Sequence, residues 1–228
     1  MSNHLDLEEQ EQLEQLKAFW GQYGNLITWA LVTLFAAFAA WNGFQYWQRQ
    51  QAAQASAMYD EVERMAATGD PSQALRAFDE MKSRYPNTAY AQQAALLLAK
   101  VSVQAGRSDD AKAPLRWASE EGADSALSAV ARLRLASVLL ESKEYDEAAK
   151  VLGVDPADKE FLSLFQDRRG DVLAAKGDKS AAIESYQKAY SSSVAKPELQ
   201  RLVRIKLNAL GVDVDPESTA PATAVNTK

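Results

Sequence analysis

The stretch from Leu26 to Phe44 constrains this chain most, because no charged residue occurs between Lys17 and Arg49. At about 1.5 Å per residue, a helix over these 19 residues is roughly 28 Å long, close to the ~30 Å hydrocarbon thickness of a bilayer. Trp20 and Tyr23 on one side, and Trp41, Tyr46 and Trp47 on the other, stand where amphipathic rings prefer the headgroup level. Its Leu, Ile, Val and Phe residues together contribute about −2 to −5 kcal/mol to insertion. Thr28 and Thr33 can bond back to the helix carbonyls, and Asn25 and Asn42 fall near the interfaces. The segment reads as one membrane crossing. A cleaved signal peptide would explain the small-x-small Ala37-Phe-Ala39, but signal peptides start short and basic. Here Asp6, Glu8, Glu9, Glu11 and Glu14 precede the stretch against the single Lys17.

The crossing sets the domain plan: an acidic segment over 1–24, a transmembrane helix over 25–47, a folded domain over 48–211 and a tail over 212–228. Residues 5–20 place Leu5, Leu7, Leu13, Leu16, Phe19 and Trp20 at loosely helical spacing, which predicts an amphipathic lead-in. Of the net charge of −6, residues 1–24 carry −4, so the rest of the chain is near neutral at −2. That balance argues against nucleic acid, which needs a clustered positive footprint. Lys17 on one side and Arg49 on the other leave orientation undecided by the positive-inside rule. Cysteine is absent, so there is no disulfide or thiol chemistry.

After Arg49 the sequence is Ala-rich with helix formers nearly throughout, which predicts an all-helical domain. Helix-breaking turns recur at Gly69-Asp70, Gly106-Arg107, Lys143-Glu144 and Gly177-Asp178, spaced 37, 37 and 34 residues apart. That is the period of paired-helix repeats. Behind each turn comes a small residue with a large one four later: Ala74 with Phe78, Ala111 with Leu115, Ala148 with Leu152, Ala182 with Tyr186. Twelve positions before three of those alanines stand Ala99, Ala136 and Gly170, small enough for two helices to approach closely; Val62 takes that place in the first repeat. Pro197 to Leu210 reads as a helix capping the stack, and from Val212 on Pro, Thr, Ala and Asp without periodicity predict a disordered tail.

These residues resemble the tetratricopeptide repeat, with Pro86 as the helix-ending proline of the first unit. The fold expected is all-α: a single transmembrane helix, then a tetratricopeptide-like α-solenoid of about four degenerate hairpins plus a C-terminal capping helix. In that register the first helix of each pair lines the concave face. Tyr59, Leu96, Val103, Val130, Leu133, Leu140 and Leu164 then fall there, with polar Glu63, Gln93, Lys100 and Asp167. Two readings stay open: several of these side chains are core, or the face is an apolar groove for extended polypeptide or a partner's apolar segment. Within the crossing, Ala36/Ala40 and Ala39/Gly43 have the small-xxx-small spacing that lets a second helix approach.

No catalytic constellation emerges. His4 is the only histidine, beside Asp6 in the acidic segment, and no cluster has metal-ligand spacing. Lys176-Gly-Asp-Lys-Ser180 lacks the spacing of a phosphate loop and falls on a repeat turn, and Asp213 with Asp215 sits in the tail. The expectation is a protein that is not an enzyme and needs no cofactor or metal.

Together, Glu11-Gln-Leu-Glu-Gln-Leu-Lys17-Ala-Phe-Trp-Gly-Gln-Tyr-Gly-Asn25, the crossing that ends Gly43-Phe-Gln-Tyr-Trp47, and the repeats resemble the YfgM family, ancillary subunits of the SecYEG translocon. The resemblance implies an inner-membrane protein with a cytoplasmic N-terminus and a periplasmic repeat domain. It further implies association with SecYEG and the membrane-anchored chaperone PpiD, and a role in passing unfolded, newly exported polypeptides towards periplasmic chaperones. A membrane-anchored scaffold or regulatory adaptor whose solenoid holds one dedicated partner fits the same residues.

Overall fold

The structure, a computed structural model, describes residues 7–214, with side chains from residue 12 onward. His4, Asp6, Asp215 and the tail from 215 lie outside the described residues. Among those described the protein is all-α: α1 (Leu7–Ala67), α2 (Pro71–Arg84), α3 (Ala89–Gln104), α4 (Ser108–Glu120), α5 (Ser125–Glu141), α6 (Tyr145–Val151), α7 (Leu162–Lys176), α8 (Lys179–Ser192) and α9 (Pro197–Ala209), with one 3-10 turn at Lys159–Phe161. The chain divides into two compact units, Met1–Gln51 and Ala52–Lys228, and α1 contributes to both.

In the first unit α1 carries its apolar side chains outward on every face; Leu26, Trp29, Phe35 and Phe38 are each exposed by about two thirds of their surface. Only lipid or another apolar helix makes such a surface favourable. The span's polar groups are satisfied from within, as the sequence predicts for its threonines. Thr28 Oγ1 donates to Gly24 O at 2.7 Å, Thr33 Oγ1 to Trp29 O at 2.8 Å, and Asn42 Nδ2 to Phe38 O at 2.8 Å. By length and composition α1 is able to cross a membrane.

The second unit is a stack of helical hairpins, formed by the end of α1 with α2, then α3/α4, α5/α6 and α7/α8, with α9 beyond them. Each first helix ends at a left-handed residue: Gly69 (φ 77°), Gly106 (φ 73°), Lys143 (φ 63°) and Gly177 (φ 91°). Three of these ends close with the same long bond, Arg107 N to Ser102 O, Glu144 N to Leu139 O and Asp178 N to Leu173 O, which satisfies carbonyls that the helix leaves open. The end of α9 repeats this geometry. Gly211 has φ 83°, Val212 N donates to Leu207 O at 3.0 Å, and Gly211 follows Gly177 by 34 residues. The capping helix therefore ends as a first helix of the repeat does.

Packing follows the small-large spacing. Ala74, Phe78, Ala111, Leu115, Ala148, Leu152, Ala182 and Tyr186 are all buried, as are Val62, Ala99, Ala136 and Gly170 beneath them. A Cβ on Gly170 would stand 2.4 Å from the Tyr186 ring, so that position admits no side chain without displacing α8. The third hairpin departs from the pattern, because α6 spans only seven residues before Gly153 and Pro156 end it. Its carbonyls are taken up by arginines: Arg132 Nη2 donates to Val151 O at 2.9 Å and Arg169 Nε to Leu152 O at 2.7 Å. At the C-terminal end, Val212 and Val214 pack against the cluster of Tyr186, Val203 and Leu207.

Candidate binding groove

Two neighbouring first helices, α3 and α5, build the site. Thr88 caps α3 by accepting from Ala91 N, and Asp124 caps α5 by accepting from Ala126 N and Leu127 N, which sets where each helix begins. Gln92, fully buried, fixes their register. Its Nε2 donates to Ala118 O, Asp124 O and Ser128 Oγ, each at 3.1 Å, and its Oε1 accepts from Asp124 N at 2.7 Å. Further along, Arg134 Nη1 donates to Leu96 O at 3.3 Å. Gln92 pairs with Ser128 and Leu96 with Arg134, so the two helices run parallel.

Beyond the Leu96–Arg134 bond the helices leave an open recess of about 270 Å³, lined by Ala99, Lys100, Val103 and Gln104 of α3 and Arg134, Ser137, Val138 and Glu141 of α5, with Leu115 of α4 beneath. Ala99, Leu115 and Val138 form a buried apolar floor, and Val103, 38% exposed, stands at the rim. No carboxylate among the described residues comes within ion-pairing distance of Lys100 or Arg134, although both are exposed. Elsewhere between repeats such cations are matched: Lys112 with Glu144 at 2.5 Å, Arg116 with Glu147 at 2.8 Å, Lys176 with Asp146 at 2.5 Å.

Of the sequence-predicted groove residues, Lys100 and Val103 meet in this recess. Leu96 joins the core at 7% exposure, and Val130, Leu133 and Leu140 are half-buried against it. Tyr59 packs on Tyr90 with ring centroids 6.1 Å apart, and its hydroxyl is held above the usual tyrosine range by burial and then by Glu63 and Asp60. Leu164 lies on α7, exposed and outside the recess. Sequence reasoning weighed the apolar positions and passed over Arg134 and Glu141. The spacing of Arg134, Val138 and Glu141 at i, i+4 and i+7, which puts them on one face of α5, carried that signal. In the span, Ala36, Ala39, Ala40 and Gly43 are all exposed on α1, with nothing within 4 Å of a Cβ placed on Gly43.

The seam between α7 and α9 is built differently. Asp167, expected on the concave face, is buried, and Lys206 Nζ of α9 lies 2.7 Å from both Asp167 Oδ1 and Asp171 Oδ1. Tyr186 donates its hydroxyl to Asp171 at 2.8 Å, and the Lys206 ammonium stands 5.4 Å from the centre of the Tyr186 ring. Burial raises the Asp167 carboxyl above the usual carboxylate range, against the downward pull of the Lys206 hydrogen bond and charge. Burial and the Asp171 hydrogen bond likewise push the Tyr186 hydroxyl upward. Among the described residues no group of three or more His, Asp or Glu side chains could hold a metal ion.

The tetratricopeptide repeat-like domain family matches residues 17–212. Relatives from several bacteria carry the name ancillary SecYEG translocon subunit. The protein of Neisseria gonorrhoeae is 30% identical over 208 residues, covering 90% of this chain and 98% of the relative. That of Aggregatibacter actinomycetemcomitans is 31% identical over 204 residues (90% and 98%), and that of Escherichia coli 28% over 204 residues (90% and 97%). No solved structure matches the chain.

Proposed function

The chain belongs to the family of ancillary SecYEG translocon subunits, a tetratricopeptide repeat-like family, and from that premise we propose that it binds extended polypeptide at the recess between α3 and α5 while associated with the translocon. It acts without catalysis, passing newly exported, unfolded chains towards periplasmic chaperones, with PpiD as its membrane-anchored partner. Residues 1–24 are cytoplasmic, 25–47 span the bacterial inner membrane once, and 48–211 form the periplasmic domain. The exposed small residues Ala36, Ala39, Ala40 and Gly43 give a lateral helix of the translocon or of PpiD a close approach in the bilayer.

The observation that carries this reading is the open recess with an apolar floor between two first helices, and the cations on its rim that the described residues leave without a carboxylate partner. A concave, mostly apolar site with a few fixed polar groups is what capture of polypeptide requires. Tyr59, Leu96, Val130, Leu133, Leu140 and Leu164 support or extend this face, and Lys100 and Val103 touch the bound chain.

Photoreactive residues placed singly at Val103 and at Val154, a more exposed position outside the recess, test the reading in growing cells. Adducts identified by mass spectrometry should contain many newly exported proteins at Val103 and few at Val154. A single abundant partner at Val103 would replace the client role with that of a dedicated scaffold. Protease treatment of spheroplasts should degrade the repeat domain; its protection would overturn the orientation.

A further inference from the structure

In each of the four hairpins the residue seven before the left-handed turn is compact and buried: Val62 before Gly69, Ala99 before Gly106, Ala136 before Lys143 and Gly170 before Gly177. There the second helix closes in, as Tyr186 does on Gly170. Counted back from Gly211, the same place on α9 holds Arg204, half-buried. A guanidinium in that place keeps a close-packed apolar helix away and calls for anionic or polar neighbours. Arg204 lines a recess of about 140 Å³ together with Arg201, Gln200, Pro197 and Tyr190. Gln200 Nε2 donates to Tyr190 O at 3.4 Å, and Arg201 is exposed with no carboxylate in ion-pairing distance among the described residues.

The chain leaves α9 beside this recess. Val212 N donates to Leu207 O, and both Val212 and Val214 pack against the cluster that holds Tyr186, Val203 and Leu207. Tyr190 packs against the same cluster and also lines the recess, so the recess adjoins the surface on which Val214 rests. The half-buried valines alternate with exposed Asp213, which is the pattern of an extended segment. A residue before proline is biased to extended backbone, and Asp215 precedes Pro216, which favours a strap over a second helix. Asp215 and Glu217 follow Val214 by one and three residues, within about 10 Å of extended chain. We propose that the segment Asp215–Glu217 docks in this recess with its carboxylates on Arg201 and Arg204, in the place that a second helix takes in the other hairpins. The strap closes the last unit of the stack, as a terminal repeat requires.

The test uses the full chain in detergent micelles and pairs of cysteines introduced into its cysteine-free sequence. Disulfide formation under copper–phenanthroline would be timed on non-reducing gels for Gln200→Cys with Ser218→Cys, and for Gln200→Cys with Thr227→Cys. A docked segment has a raised effective concentration at its site, so the first pair should close at least about fivefold faster than the second at low salt. The margin should shrink as salt screens the ion pairs. Asp215→Lys with Glu217→Lys should slow the first pair to the rate of the second, and adding Arg201→Glu with Arg204→Glu should restore it. Such a restoration cannot arise from loss of the fold. Equal rates for the two pairs, a rate unmoved by the reversals, a loss that the double reversal does not repair, or disulfides formed chiefly between two chains would overturn the proposal.

Discussion

The seam between α3 and α5 and the seam between α7 and α9 are comparable steps of one stack, yet they treat their charges in opposite ways. Arg134 reaches back 38 residues to Leu96 at the first, and Lys206 reaches back 39 to Asp167 at the second. At α7/α9 the cation is drawn inward to two carboxylates. At α3/α5 the guanidinium rests on a backbone carbonyl, and the apolar floor beyond it stays open. A terminal repeat has to close its last face, whereas an internal seam that stays open keeps a surface for something else. The difference is that unmatched charge around an apolar floor, rather than apolar residues alone, marks the proposed binding face off from a packing face.

Substitutions can break this contrast. The largest effect is expected at Gly170, where any side chain meets Tyr186: Gly170→Leu should destabilise the domain by about 3 kcal/mol, seen as lower-temperature melting of the helical circular-dichroism signal. Lys206→Met comes next at about 2 kcal/mol near neutral pH, because it leaves Asp167 buried without its cation. Its pH dependence has a definite sign. A carboxyl raised on folding favours the folded state in acid and loses that contribution as pH rises through its folded value. Removing the downward pull of Lys206 extends the loss to higher pH, so Lys206→Met should cost more at pH 7 than at pH 4, and adding Asp167→Asn should restore part of it.

Two smaller effects sharpen the comparison from the other side. Lys143 holds φ 63° where the other repeat turns use glycine, so Lys143→Gly should stabilise the end of α5 by about 0.5 kcal/mol and leave peptide affinity unchanged. Val103→Ser should alter stability by less than about 0.5 kcal/mol, since Val103 is a rim residue, and yet weaken polypeptide capture. Loss of stability at Val103 equal to that at Gly170 would erase the distinction between the two seams.

Much of the fold was legible in the chain because it rests on local rules. The charge-free run around Leu26–Phe44 and the breakers at Gly69, Gly106, Lys143 and Gly177 act within a few residues of themselves, and the small-large pairs such as Ala182 and Tyr186 act across one hairpin. Gly211 carried the same turn signal, which the reading of Pro197 to Leu210 as a cap passed over. The shortness of α6 follows from Gly153 and Pro156, while its compensation by Arg132 and Arg169 depends on where other helices end. The recess was harder to read for the same reason. Whether Lys100, Arg134 and Glu141 find partners depends on the register of α3 against α5, which buried Gln92 sets through residues 26 to 36 positions away.

Because the chain has no cysteine, a cysteine introduced at one position is a unique chemical probe, and it gives the most direct test that the α3/α5 recess is the working face. Maleimide labelling of Val103→Cys and Val154→Cys would be timed in the purified chain and in membranes where SecYEG is engaged with a translocating polypeptide. The account predicts slowed labelling at position 103 during translocation and unchanged labelling at position 154. Equal rates at position 103 in the two states would contradict it.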